Sequence, residues 1–493
     1  MAALESNAVT RGSRRHTADE LRHRRARPWQ HRAVSASRLT RRRLLARGAA
    51  GAVALALPGP ALGRRSRALP VGGGLRPELV GVSQRGFEAW WPTEAPADTT
   101  VHYARADGQG GVRERVLDRA QVVHAARVGG LEPGTAYDYE LRSGGRAIAT
   151  SPQNPGTFTT LPRLEGRRLA RIALLNDMHV GEQCSGTITD LGFGSVPPCF
   201  SADDYAWRMC DAALREIKAL CPDLVIANGD LTDRGRPLEV DRALGLLRRS
   251  RPPLLITRGN HDRRYHEAGA ACGEDGDCLR EKAFPANEVG DHALTSVARV
   301  GRRVAVVGLD SCDPETGEGR LDLGGQLEWL DRKLAALRRR GTITIVAFHH
   351  HVATQANASH PPPLLFGVRM DRGGAEALEV IGRHRVPLAL HGHTHRNYLV
   401  TDPRAPRTWF LENGAIKEYP AGYAILDVHE DGIVRSFHRP ISPFSREWVR
   451  TSAGQIWGLH PDYTRGTLRS RSFVLRFAGG GDGGPAPSIF GPL

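Results

Sequence analysis

Five apolar runs in the middle of the chain each end on a short polar segment, and this pairing limits the fold more than any other feature. Ile172-Ala173-Leu174-Leu175 leads to Asp177-Met178-His179, Leu224-Val225-Ile226-Ala227 to Gly229-Asp230, and Leu254-Leu255-Ile256 to Gly259-Asn260-His261-Asp262. Ile343-Thr344-Ile345-Val346-Ala347 leads to His349-His350-His351, and Pro387-Leu388-Ala389-Leu390 to His391-Gly392-His393-Thr394-His395. Short apolar runs bounded by turn residues read as buried strands. In α/β folds the side chains at the carboxyl ends of such strands converge on one crevice. The expectation is an α/β fold that gathers carboxylate, amide and imidazole groups in one place, with Gly229, Gly259 and Gly392 letting the backbone turn sharply beside them.

Taken singly, these segments say little. An Asp-x-His or a Gly-Asp after a strand is ordinarily a turn. Their joint order carries the weight, because together they supply enough donors for two metal ions. No cysteine belongs to the set, and oxygen and imidazole donors suit manganese, iron or zinc. Two cations held ~3.5–4 Å apart clamp the attacking and leaving oxygens of a phosphoryl transfer.

The ordered set DMH, GDLTDRG, GNHD, HHH and GHTH resembles the calcineurin-like metallophosphoesterase superfamily across residues 168–430. The resemblance implies a four-layer αββα sandwich, two β-sheets face to face between helical layers. It also implies a ligand set. Asp177, His179 and His395 would hold one metal, Asp230 would bridge, and Asn260, His393 and His349 would hold the second. The proline that usually follows this histidine run in the family is missing, so His350 stands as the alternative to His349.

The implied chemistry is in-line attack on phosphorus by a water that loses its proton in the field of two cations. In the family pattern His261 donates a proton to the leaving alkoxide or stabilises the transition state, and Asp233 orients it. Arg234 is read either as a phosphate clamp or as a solvated loop arginine. His391 and the unassigned histidines of the triplet read as supporting imidazoles. Purple acid phosphatases, in the same superfamily, carry Asp-x-Gly in place of the first motif and a tyrosine at the position of Asp233. With His179 and Asp233 here, no phenolate is placed to ligate ferric iron, and a colourless or weakly coloured protein is expected. The first two motifs are similar to those of bacterial cyclic-nucleotide and glycerol phosphodiesterases, which points to small phosphodiesters. A phosphomonoesterase is the alternative within the class. A non-catalytic metal-binding protein is the alternative outside it, and the intact set of His261, Asp233 and ligands argues against that.

At the amino terminus, Thr40-Arg41-Arg42-Arg43-Leu44-Leu45-Ala46 precedes an uncharged stretch from Gly48 to Leu57, then Pro58-Gly59-Pro60 and a small-residue site at Ala61-Leu62-Gly63. This order is that of an export signal, and the paired arginines resemble the twin-arginine type. The apolar core is too short to span a membrane. The expected address is therefore extracytoplasmic, with residues 1–63 removed. That segment holds thirteen arginines against three acids, +10 of the chain's formal +15, so the remainder carries about +5. The basic balance therefore gives little support to a nucleic-acid partner. Seven cysteines suit an exported chain, with Cys184/Cys199 and Cys272/Cys278 as candidate disulfides and Cys210 and Cys221 as small buried residues.

Residues 74–162 lack a helical period and show short alternating runs broken by Gly, Pro and Asp, the pattern of a β-sandwich. Leu131-Glu132-Pro133-Gly134-Thr135-Ala136-Tyr137-Asp138-Tyr139 resembles the late-strand signature of fibronectin type III domains. Tyr137 would form the tyrosine corner, and Trp90 or Trp91 would fill the core. The catalytic region is expected at 168–440, with helices over Tyr205–Leu220 and Gly325–Arg339 on its outer faces. Residues 181–203, 262–292 and 352–372 read as long insertions beside the site, the last with a stiff His360-Pro361-Pro362-Pro363. Residues 441–493 read as a strap that includes a strand at Ser472–Phe477, followed by a disordered Gly-rich tail from Gly479. Oligomeric state is not readable from the chain.

Overall fold

The structure, a computed structural model, describes residues 74–185, 201–264, 272, 276–284, 294–352, 370–455, 460–477 and 488–490. The export segment, Cys199 and the His360–Pro363 run lie outside these residues.

Two sheets packed face to face form the centre. In the first, the strands Arg168–Leu175, Leu224–Asn228 and Leu254–Thr257 run parallel, and Tyr423–His429 joins antiparallel to Arg168–Leu175. Gly432–His438, Phe473–Arg476 and Ser488–Phe490 extend that sheet antiparallel. In the second, Val304–Gly308, Ile343–Ala347, Leu388–His391 and Ala405–Glu412 run parallel, flanked by antiparallel edges Ser296–Val300 and Tyr398–Asp402.

Alternation along these strands builds the layers. Ile172 and Leu174 face the second sheet and meet Ile345, Leu388, Leu390 and Leu411 in one core. Ala173 and Leu175 face outward and pack against the helices Tyr205–Ala219 and Pro237–Arg248 through Ala213, Ile217, Leu244 and Leu247. On the far side, Val307, Val346 and Ala389 meet the helices Gln326–Arg339 and Gly374–Arg383 through Leu330, Leu334 and Leu378. Each fully buried aliphatic side chain here contributes roughly 1.5–3 kcal/mol. The result is the αββα order expected from the motifs. Every parallel strand ends at the same edge, so its polar terminus arrives at one place.

The strands between Glu78 and Thr159 form a separate all-β sheet. Gly86–Arg105 is long enough to pair with Arg113–Gly129 on one side and with two strands in succession on the other. Adjacent tryptophans split its two faces. Trp91 lies in the core of this sheet with Phe87, Tyr103 and Phe158. Trp90 points the other way and packs with Tyr205, Met209, Phe437 and Trp448 of the catalytic region. Both tryptophans are thus buried, in different cores. The backbone N–H of Glu132 donates to the Tyr137 hydroxyl at 3.1 Å, which closes the corner at that tyrosine.

Several sequence expectations change. Cys210 is buried, but Cys221 is exposed, because it follows the end of its helix and faces away from the core. The Gly-rich tail is not without structure, since Ser488–Phe490 adds an antiparallel strand to Phe473–Arg476. The second and third insertions carry elements too. Asp277 accepts from the backbone of Arg280 and caps the helix Cys278–Ala283, and Met370–Arg372 pairs with Gly319–Arg320. Cys272 and Cys278 are disulfide-bonded, as is Cys184. Among the described residues no helix is long and apolar enough to cross a membrane.

Candidate metal centre

The residues named from the motifs meet at the shared strand edge. Asp177, His179, Asp230 and His395 place donor atoms within 4.8 Å of one another, as do Asp230, His349 and His393. Asp230 belongs to both groups. Asn260 completes the second, with its Oδ1 3.2 Å from His349 Nε2 and 2.9 Å from His393 Nδ1. All seven candidate ligands are therefore brought together, although they lie far apart in the chain.

The backbone shows how much the fold spends here. Asp177, His179, Asp230, His393 and His395 all sit at positive φ, between 45° and 79°. Left-handed backbone is unfavourable for residues with a Cβ and clusters at functional sites. The glycines act differently from the sequence expectation. Only Gly229 has positive φ, +79°. At Gly259 the demand is for space, because an added Cβ would lie 2.2 Å from Asp230 Oδ1. Gly392 likewise needs room, beside Asn176 and Asp177.

Hydrogen bonds orient the imidazoles. His349 Nδ1 lies 3.3 Å from the Asn228 carbonyl, which leaves Nε2 facing Asp230 Oδ2 at 3.1 Å. His350 turns aside, with Nδ1 3.2 Å from Ser311 Oγ, so the geometry selects His349 over its neighbour. His351 lies 3.4 Å from Glu412. His395 Nδ1 is 2.7 Å from Glu418 Oε1, and its Nε2 faces Asp177. Glu418, Lys417 and Glu182 also support the site, yet no motif named them. They lie in loops with no flanking apolar run, and only the folded chain brings them near.

His261 is fixed by a different group from the one expected. Its Nδ1 is 2.7 Å from the backbone carbonyl of Asp233, not its carboxylate. A carbonyl only accepts, so Nδ1 carries a proton and Nε2 is the atom that exchanges one. The Asp233 carboxylate still groups with His179 and His261 within 4.8 Å. The His261 backbone N–H donates to Asp230 Oδ1 at 2.9 Å. Asp262 knits the two loops, accepting from the backbones of Leu231, Thr232 and Gly259. Arg234 is largely exposed, with Nε 3.3 Å from Asp233 Oδ2.

Burial and neighbouring charge shift the titratable groups of the site. Burial pushes the Asp177 carboxyl up to about 6, against the pull of His395 and His349. Burial alone would lower His349, but the Asp230 carboxylate outweighs it and holds the ring at about 9. Burial drives His350 down to about 3, with the neighbouring His349 adding to the effect. Asp177 Oδ2 and both ring nitrogens of His179 are buried without a hydrogen-bond partner in the protein. Buried polar atoms are nearly always satisfied. Orphaned oxygen and nitrogen donors converging on a shared carboxylate fit two metal ions, with oxygen and imidazole chemistry open to manganese, iron or zinc.

The chain is 30% identical over 236 residues to a probable cyclic nucleotide phosphodiesterase of Synechococcus sp., a match covering 46% of this chain and 79% of that protein. It is 24% identical over 291 residues to a probable cyclic nucleotide phosphodiesterase of Moraxella catarrhalis, covering 56% of this chain and 94% of that one. Among solved structures, a dimetal phosphatase of Danio rerio is similar at 14% identity and a TM-score of 0.43, covering 56% of this chain and 98% of that one. A purple acid phosphatase of yellow lupin is similar at 13% identity and a TM-score of 0.37, covering 75% of this chain and 72% of that one. Residues 170–397, which carry all five motifs, match the calcineurin-like phosphoesterase family. The chain is a member of that family and a metal-dependent phosphoric ester hydrolase.

Proposed function

We propose that this hydrolase cleaves small phosphodiesters by attack of water on phosphorus at a two-metal centre. The observation that carries the reading is Asp230, which two donor clusters share at the common end of the parallel strands. Asp177, His179 and His395 would hold one cation, Asn260, His349 and His393 the other, and Asp230 both. When bound, the pair would lower the pKa of water toward neutrality and offset the charge on the entering and departing oxygens.

The remaining steps belong to the chain. Asp230 Oδ1 accepts from the His261 backbone and sets that residue beside the cluster. The Asp233 carbonyl holds the His261 ring by Nδ1, which leaves Nε2 as the atom that would pass a proton to the departing alkoxide. Asp262 keeps the two loops in register.

The preference for diesters draws support from the similarity of the opening motifs to cyclic-nucleotide phosphodiesterases. Relatives in Synechococcus and Moraxella bear that name. Turnover of bis-p-nitrophenyl phosphate should exceed that of p-nitrophenyl phosphate once metal is supplied. The reverse ratio would make the chain a phosphomonoesterase, and no hydrolysis of either by metal-loaded protein would leave a binding role.

We also propose export through the twin-arginine segment. Replacing Arg42 and Arg43 with lysine should retain the protein in the cytoplasm, and unchanged export would remove the segment from that role.

A further inference from the structure

A buried lysine lies behind one half of the metal centre. Lys417 Nζ is 2.8 Å from Glu182 Oε1 and 3.3 Å from Glu418 Oε2. Its side chain is only 4% exposed, and Glu182 and Glu418 are 11% and 4% exposed. Each glutamate faces a different imidazole. Glu418 Oε1 takes the Nδ1 hydrogen of His395 at 2.7 Å, and Glu182 Oε2 lies 3.5 Å from His179 Nδ1. Both histidines then direct Nε2 at the carboxylates of the cluster: His395 toward Asp177 at 3.7 Å, His179 toward Asp230 at 3.4 Å.

We propose that Lys417 is a positioning residue that ties Glu182 and Glu418 into one clamp, which sets the orientation of His179 and His395 for the cation they share. This rests on the two-metal reading of the site.

The physical case has three parts. A carboxylate behind a ligating imidazole fixes its tautomer and raises its basicity. Two buried carboxylates side by side repel unless a cation lies between them, and Lys417 supplies it. The clamp is also anchored from outside. The Ser185 hydroxyl donates to Glu418, and the Trp448 indole N–H donates to the Lys417 carbonyl at 2.6 Å.

The other cluster is built differently. His349 is backed by the neutral carbonyl of Asn228, and none of its groups contacts Lys417 in the hydrogen bonds and ion pairs of the described residues. It therefore serves as an internal control.

Manganese titration of chelator-stripped protein, with free ion read by its paramagnetic resonance signal, tests the clamp. Wild type should take up two ions. Lys417→Met should weaken one of them on the order of 10–100-fold and leave the other unchanged. Lys417→Arg, which keeps the charge and its donors, should recover most of the loss. Should Lys417→Met fail to fold, Glu182→Gln removes one arm of the clamp and should weaken the same single ion. Two ions bound with wild-type affinity by folded Lys417→Met, or by folded Glu182→Gln, would overturn the clamp alone. Wild type that takes up fewer than two ions would overturn the two-metal reading and the clamp with it.

Discussion

The metal crevice and the seam between the amino-terminal sheet and the catalytic fold are both rich in buried charge, yet they are built on opposite rules. In the seam every carboxylate oxygen of the central glutamates is used. Glu88 accepts from the Trp90 indole at 2.8 Å, the Arg439 backbone at 3.2 Å and Arg127 at 2.7 Å. Glu216 accepts from Arg127, Tyr423 and the Ile441 backbone. Glu78 accepts from Tyr419 and Arg439. In the crevice Asp177 Oδ2 makes no hydrogen bond, the His179 nitrogens face carboxylates only at 3.4 and 3.5 Å, and five candidate ligands sit on left-handed backbone. Carboxylates whose oxygens are all paired hold the modules together. Charge left open on a strained backbone is held ready for something that is not part of the chain.

Breaking the crevice should remove activity and leave the fold. Asp230→Asn weakens the shared ligand of both clusters. A rise of several kcal/mol in the barrier, roughly a 10⁴-fold loss of turnover, should follow with loss of bound metal. Full activity in this variant would end the shared-ligand account. His261→Ala should keep both metals and lose about 10²–10⁴-fold in turnover on substrates with poor leaving groups, with less loss on nitrophenyl esters. An equal loss on both kinds of ester would take the proton-donor role away from His261.

Breaking the seam should do the reverse. Glu88→Ala removes one of the two carboxylates that Arg127 contacts, along with the acceptor of the Trp90 indole and the Arg439 backbone N–H, and should cost about 1–3 kcal/mol in unfolding free energy while metal content stays at the wild-type value. Equal denaturation midpoints for variant and wild type would contradict it.

The smallest effect is a pH dependence. Burial alone would raise Glu88, but Arg127 and His438 overcome it and hold the carboxyl at about 2, below its ordinary 4.5. A depressed carboxyl contributes stability above its unfolded value and loses it as pH falls toward the folded one. Denaturation midpoints should therefore drop between pH about 4.5 and 2 in wild type and drop less in Glu88→Gln. Parallel curves would remove Glu88 from the acid response.

Much of this contrast was legible in the chain because its two causes are local. Apolar runs that end on Asp, Asn or His announced both the strands and the place where they converge. Trp90-Trp91 announced one core tryptophan, and only alternation on a real strand showed both buried, one in each core. The rest depends on contacts distant in sequence. The Asn228 carbonyl, not the triplet itself, distinguishes His349 from His350. His261 is held by a backbone atom, which no residue type can signal. Glu418 and Lys417 lie beyond the last motif, and their partner Glu182 is 235 residues from Lys417.

Metal content and anomalous diffraction from one crystal of the protein, grown with saturating manganese, test the account most directly. Two cations per chain with Asp230 between them are predicted. One cation, or none, at that carboxylate would contradict it.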